Sequence, residues 1–573
     1  MNTLEAGKRP ISEIFNGSRI LEIPFFQRSY VWNREQWERL LEDMKEISEF
    51  NKPYFLGSII LKQQDTTTGT SGDLRTLIDG QQRLTTLNIF FKVLCLKIKR
   101  NDLFKGRFTL QRDNKIALKH NHNDEKFFNK IIYLETLEEI ENMTDHHIIG
   151  AYNYFKEAIN IDDFDFFNII ANIMFVGIDL NKEEDEQQIF DTINSLGVRL
   201  TTAELLKNHL FNRENLKSYQ NDWQEIFEKD EETKSFWDNE INAGNIKREN
   251  IDIFFYSFLQ IKLQDKNIGV KNEDKKRLSK FSGLFESYKE FMKLYKIEKE
   301  SLIREIKDYA IIYKNNINYD LIDKEISCEY GIERINILIF GLDNTVIIPF
   351  ILYALKNISS EEQKEIFMYL ESYIMRRIIS KSVSKSYSQL FSEELISNEI
   401  KTKKMFQELI NEKTDKTNSM PSNKEVKNGF LQSKLINKQA SGVLYLIESK
   451  IRDKNKHSTA LLGFRRYSLE HLMPKKWENN WDKITEESKR RNRDDKLLTL
   501  GNLAIITSSL NTSIRDSDWK TKKEGNKRKK GLCAFASGIE TMNEYLDYEV
   551  WNEETIEKRA NFLYSKAIKM WML

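Results

Sequence analysis

Three cysteines in 573 residues, Cys95, Cys328 and Cys533, lie far apart and form no CxxC pair. That spacing argues against a zinc ribbon or a disulfide framework and suits a reducing cytoplasm. No apolar run approaches the roughly 20 residues that span a bilayer. The N-terminal MNTLEAGKRPISEIF lacks the apolar core of a signal peptide. The expectation is a cytoplasmic chain with no membrane contact. An excess of one charge is also missing. Lys and Arg number 89 against 88 Asp and Glu, a net +1. The whole chain is therefore not a basic nucleic-acid binder, and any DNA contact has to come from local patches. No Walker A string occurs, which excludes a P-loop NTPase. Internal repeats are absent too.

Hydrophobic residues make up 40% and aromatics 12%, enough to build cores and to argue against disorder. The length suggests about three to four domains. With only six prolines, long stretches keep helical spacing. Residues 1–215 mix strands and helices. LEIPFFQRSYVW (21–32) reads as an extended segment and turn. A helix follows from Asn33, with Trp37, Leu40, Leu41, Met44 and Ile47 on one face. YFLGSIILK (54–62), LRTLID (74–79) and IMFVGIDL (173–180) read as strands. The second ends at Asp79-Gly80, where QQRLTTLNIFFKVLCLKIK starts a helix at once. A helix over 184–197 stops at Gly197, and Thr201 or Thr202 caps the next. Residues 216–429 read as a helical scaffold without a chemical motif, closed by a polar loop or linker over 414–429. Residues 430–573 form the last domain.

In that last part, RRYSLEHLMPKKW is followed by LLTLGNLAIITSSLNTSIRDSDWKTKK. Phosphodiester hydrolysis needs an activated water and a cation on the scissile phosphate. His471 can take the proton. The Glu470 carboxylate and an amide oxygen can hold Mg²⁺ or Mn²⁺ while leaving room for water and phosphate. The basic runs KRRNR (489–493) and KTKKEGNKRKKG (520–531) flank the segment, and Lys520 and Lys523 are candidate phosphate contacts. Trp551, Ile556 and Arg559 read as packing residues, with a phosphate contact as the alternative for Arg559. Among the other histidines, His120, His122, His146 and His147 sit in polar stretches and read as surface residues; His209 reads as core. Near the N-terminus, Asp79-Gly80-Gln81-Gln82-Arg83 sits at a strand-to-helix junction. Such a junction offers free N–H groups to an anion, and Arg83 can hold phosphate bidentately. Asp79 can bind a cation or orient a water.

Both segments resemble known families. EHxxP, GNL and the following Asn resemble the HNH (ββα-metal) nuclease motif. The resemblance implies Glu470 and Asn511 as metal ligands, His471 as general base and Asn502 as the bracing residue. IDGQQRLTTL resembles the N-terminal family, with a ParB/sulfiredoxin-like fold, of GmrSD-type restriction proteins. IPFFQRSYVWN (Pro24, Gln27, Arg28, Tyr30, Trp32), YFLGSIIL (Gly57) and IFDTINSLGVRLTTAELLKN (Phe190, Asn194, Gly197, Leu200) match the same family. The C-terminal EHxxP…GNL…N…W…K pattern matches the domain usually fused to it. The resemblance covers both ends of the chain and is looser through the middle.

It implies an α+β, predominantly helical fold: a ParB-like nucleotide domain, a helical middle and an HNH nuclease domain. It also implies a nucleotide site built from Asp79, Gly80, Gln81, Gln82 and Arg83, with Gln27, Arg28 and Asn194 nearby, that takes GTP or ATP. Tyr30 and Trp32 are candidate base contacts, with core packing as the alternative. The implied function is a Mg²⁺-dependent, nucleotide-regulated endonuclease acting on modified phage DNA, with a homodimer left open. Two other readings stand beside it: a nucleotide-switched DNA-binding protein with a vestigial nuclease site, and an RNase or toxin.

Overall fold

The computed structural model describes residues 5–24, 27, 29–64, 73–121, 124–140, 146–180, 202–211, 215–244, 246–326, 328–413, 418–452, 461–526, 529–534 and 539–573. Arg28, His122, Phe190, Asn194, Gly197, Leu200, Thr201 and the helix expected over 184–197 lie outside them. The chain divides into two units, residues 1–218 and 219–573. Among the described residues no helix is long and apolar enough to cross a membrane.

The first unit is built on a mixed six-stranded sheet. Its strands are β1 (Glu5–Pro10), β2 (Arg19–Glu22), β3 (Tyr54–Gln63), β4 (Asp73–Asp79), β5 (Leu118–Lys119) and β6 (Ile173–Leu180), in the order β1-β6-β3-β4-β2-β5. Antiparallel pairing of β3 with β4 brings Ile60 opposite Asp79. Helix α1 (Arg34–Phe50) begins at Asn33, whose side chain closes a capping box with Gln36. Its buried face is Trp37, Leu40, Met44 and Ile47, as the 3.6-residue spacing predicts.

The centre of this unit is α2 (Gln81–Lys97). From Gln81 to Leu96 every residue except Arg83 is buried. A helix buried on all sides belongs inside a core rather than on one. Three of its polar residues return a hydrogen bond to the helix's own backbone: Thr85 to the Gln81 carbonyl, Thr86 to Gln82 and Asn88 to Leu84. Gly80 starts the helix at φ +100°. A Cβ there would meet the Ile59 side chain at 3.0 Å.

The second unit is mostly helical. The polar stretch expected to be a loop over 414–429 turns into helix at Asn423. Ser422 and Glu425 form a capping box that starts the helix Asn423–Gln432, so the linker expectation is corrected there. The Ser, Asn and Pro that suggested a loop serve as the helix's entry. ASGVLYLIESKI lies in the buried helix Asn437–Ile451. Farther on come β7 (Tyr467–His471), β8 (Leu503–Thr507), α3 (Ser508–Ile514), α4 (Trp519–Glu524) and α5 (Glu553–Met570). β7 and β8 pair antiparallel, with His471 opposite Leu503 and Glu470 opposite Ala504, and β8 runs directly into α3. Buried arginines tie the helical body together. Arg334 forms two 2.7 Å bonds to Glu371 and a third to Ser449 Oγ.

Candidate active site

The C-terminal candidates lie along β7 and in the turn before β8. Asn502 is fully buried in the turn before β8. Its Oδ1 accepts from the Met473 N–H at 2.8 Å and from Trp551 Nε1 at 2.9 Å. Its Nδ2 donates to the carbonyls of Met473 and Leu497, and its own carbonyl accepts from the Leu472 N–H. Its polar groups thus tie the chain just past His471 to Leu497, Thr499 and Trp551. Gly501 is required beside it, because a Cβ would lie 2.1 Å from the Ile556 carbonyl. Arg559, fully buried on α5, donates to the carbonyls of Leu500, Gly501 and Leu503. It braces this turn and has no exposure to offer a phosphate; burial lowers its pKa to about 10.

Asn511 projects from α3 onto β7. Its Nδ2 donates to Ser468 Oγ and to the Leu469 carbonyl, both at 3.1 Å. Glu470 is buried and paired with Lys522 of α4, whose ammonium also donates to the His471 carbonyl at 2.8 Å. Burial pushes the Glu470 carboxyl up and the Lys522 ammonium down, and their mutual attraction opposes both shifts. His471 is half-buried. Its pKa is lowered to about 4, first by burial and then by Lys475 and Lys522. The imidazole is therefore neutral, and able to accept a proton, across the ordinary working range.

The donor set suits a hard divalent cation. Asn511 turns its amide nitrogen to β7, which leaves its Oδ1 as an oxygen donor, and the same strand carries the Glu470 carboxylate. Among the described residues no cluster of three His, Cys, Asp or Glu could cage a metal. Magnesium commonly binds through one or two protein oxygens, with waters and phosphate completing its shell.

Sequence reasoning singled out Lys520 and Lys523 here and missed Lys522 between them. Lys520 is exposed, but Lys523 points inward to the Tyr548 carbonyl. A lysine stem threaded into a core leaves no trace in a run of basic letters. The other run, 489–493, is a helix face neutralised by acids. Lys489 pairs with Glu486, Arg490 with Glu478, Arg491 with Glu487, and buried Arg493 with Glu553.

At the N-terminal candidate site, Asp79 Oδ2 accepts from Ser58 Oγ at 2.9 Å and from Arg83 Nη2 at 3.1 Å. Arg83 Nη2 also donates to the Ser58 carbonyl, while its buried Nε has no partner. Gly57, at φ +118°, lets the backbone pass the guanidinium: a Cβ would sit 3.3 Å from Arg83 Cζ. A helix N-terminus, a glycine cradle and an unsatisfied guanidinium N–H fit a phosphate group. Ser58 is a member the motif did not show; it enters because β3 pairs with β4.

The neighbouring motif residues act differently. Gln82 is buried; its Oε1 accepts from the Val31 and Trp32 N–H groups and its Nε2 donates to Ser29. Gln27 donates to the Ile78 carbonyl just before Asp79. Gln81 is also buried. Tyr30 is not a base contact: its ring is buried and its hydroxyl meets Thr86 Oγ1 and Trp37 Nε1. Trp32 packs against the same core. Those aromatics hold the segment over α2. Histidines expected at the surface help to anchor it. His120 is buried, bonded to Thr85 Oγ1, and lies beside Asp124, which accepts the Tyr30 N–H at 2.7 Å. His146 reaches Asp124 from the other side and caps a helix. His147 is exposed and His209 half-buried.

Residues 11–211 match the family described as GmrSD restriction endonuclease, N-terminal domain, and residues 420–566 match GmrSD restriction endonucleases, C-terminal domain. The class is thus a restriction endonuclease architecture of two domains in one chain. The chain belongs to the GmrSD restriction endonuclease family. It is also similar to an uncharacterized protein of Methanocaldococcus jannaschii, 25% identical over 292 residues, which cover 44% of this chain and 47% of that protein. The chain spans about half the length of the curated relative it matches.

Proposed function

We propose that this chain is a nucleotide-regulated, Mg²⁺- or Mn²⁺-dependent DNA endonuclease of phage defence that acts on modified phage DNA. The observation that carries the reading is that Glu470 and His471 close β7 while Asn511 bonds that same strand and Asn502 the chain just past it. Backed by the family, it fits an HNH site. A cation held by Glu470 and Asn511 would polarise the scissile phosphate and stabilise the charge that develops there. His471 takes the proton of the attacking water on its neutral imidazole. Asn502 keeps the backbone around His471 from yielding during that transfer.

In the first unit, Asp79, Gly80 and Arg83 form the proposed nucleotide site, for GTP or ATP. Arg83 and the first N–H groups of α2 hold phosphate oxygens, and Asp79 orients a water for hydrolysis. Nucleotide state then gates DNA cleavage. One observation favours the alternative, a nucleotide-switched DNA-binding protein with an inactive nuclease: Glu470 is already paired with Lys522. Incubating the chain with Mg²⁺, GTP or ATP, plain and modified phage DNAs, and RNA separates the readings. Cleavage confined to DNA supports the endonuclease. Binding without cleavage supports the alternative, and cleavage of RNA alone supports an RNase.

A further inference from the structure

Lys522 is fully buried, on a short helix that cannot shift easily. Asp518 caps that helix, Trp519 Nε1 bonds the Tyr548 carbonyl, and the Trp519 ring packs on Trp551 at 4.8 Å. Desolvating an ammonium is costly, and a core needs no cation there. Both groups that its ammonium contacts belong to the hairpin end: the Glu470 carboxylate and the His471 carbonyl. With the Asn511 side chain on Ser468 and Leu469, the Asn502 carbonyl on Leu472 and its side chain on Met473, three residues hold the whole stretch from 468 to 473.

We propose that Lys522 is a positioning residue that acts as a resident counter-cation: it holds the Glu470 carboxylate in place without metal, and competes with a divalent ion for it. This rests on Glu470 being a metal ligand. Because the ammonium and the ion repel each other and share one partner, removing the ammonium tightens metal binding while disordering the site. A purely structural lysine predicts the opposite sign, since a loosened site binds metal more weakly.

The test is Mn²⁺ binding to the full chain, read by the electron paramagnetic resonance of free Mn²⁺, for wild type, Lys522→Met, Lys522→Gln and Lys522→Arg. Lys522→Gln keeps a donor without charge and covers the case in which Lys522→Met does not fold. The expected result is Mn²⁺ affinity raised at least about fivefold in Lys522→Gln and near wild type in Lys522→Arg. Cleavage at saturating Mn²⁺ falls in Lys522→Gln, and Mn²⁺ raises its melting temperature more than that of wild type. Unchanged or weaker binding in Lys522→Gln overturns the proposal. Glu470→Gln serves as the separate control: if it binds Mn²⁺ as wild type does, the metal-ligand reading itself has failed, whatever Lys522 does.

Discussion

At the scale of single residues, the hairpin end divides its work between chemistry and support. His471 is expected to be indispensable. Replacing it with Ala should lower the single-turnover cleavage rate by about 10²–10⁴ while leaving DNA affinity in a gel-shift assay unchanged. Its depressed pKa sets a second expectation. A general base works only when deprotonated, and the folded-state value of about 4 lies below the ordinary 6.5. The acid limb of cleavage should therefore fall well below pH 6.5, with the rate at pH 5.5 close to that at pH 7. A limb near 6.5 would mean that the imidazole is not desolvated as described. Asn502 belongs to the support. Asn502→Ala strips partners from the buried Met473 and Trp551 N–H groups, and chemical denaturation should show a loss of about 3 kcal/mol. EHxxP, GNL and the later Asn were legible as chemistry because each is a polar residue of unusual type at fixed spacing. Lys522 was not legible, because nothing local distinguishes a lysine whose stem is buried from its exposed neighbour Lys520.

At the scale of elements, strands and helices followed the periodicity wherever one face is buried. Helix α1 lies where 3.6-residue spacing puts it, and strands β3, β4 and β6 lie where the sequence reads as short strands. The stretch before Phe430 misled because capping residues and loop residues are the same letters; only the Ser422–Glu425 pairing decides between them. In the N-terminal motif, Gln82 and Tyr30 looked like ligand contacts because they are polar or aromatic near an anion-ready turn. Their partners are instead the backbone of residues 29–32 and the core. The strand-to-helix junction carries its own prediction. Gly80→Ala puts a Cβ against Ile59 at positive φ and should destabilise the protein by roughly 1–2 kcal/mol in thermal or denaturant unfolding. Arg83→Ala removes no core contact of comparable size. It should abolish nucleotide binding, measured by calorimetry, while the melting temperature stays near wild type.

At the scale of the whole molecule, both sets of site residues lie in one chain, one set in each unit. Their coupling is the part of the reading that neither unit carries alone. Asp79→Ala should remove the dependence of cleavage on GTP or ATP. A wild-type nucleotide response in that variant would refute the gating. The central claim, that the hairpin end is a metal-dependent DNA-cleaving site, is tested most directly by one comparison: wild type against His471→Ala on modified phage DNA, with nucleotide, with Mg²⁺ and with Mg²⁺ chelated. The account predicts cleavage by the wild type only when Mg²⁺ is present, and none by His471→Ala although it still binds the DNA. Equal cleavage by the two proteins, or cleavage that survives chelation, would contradict it.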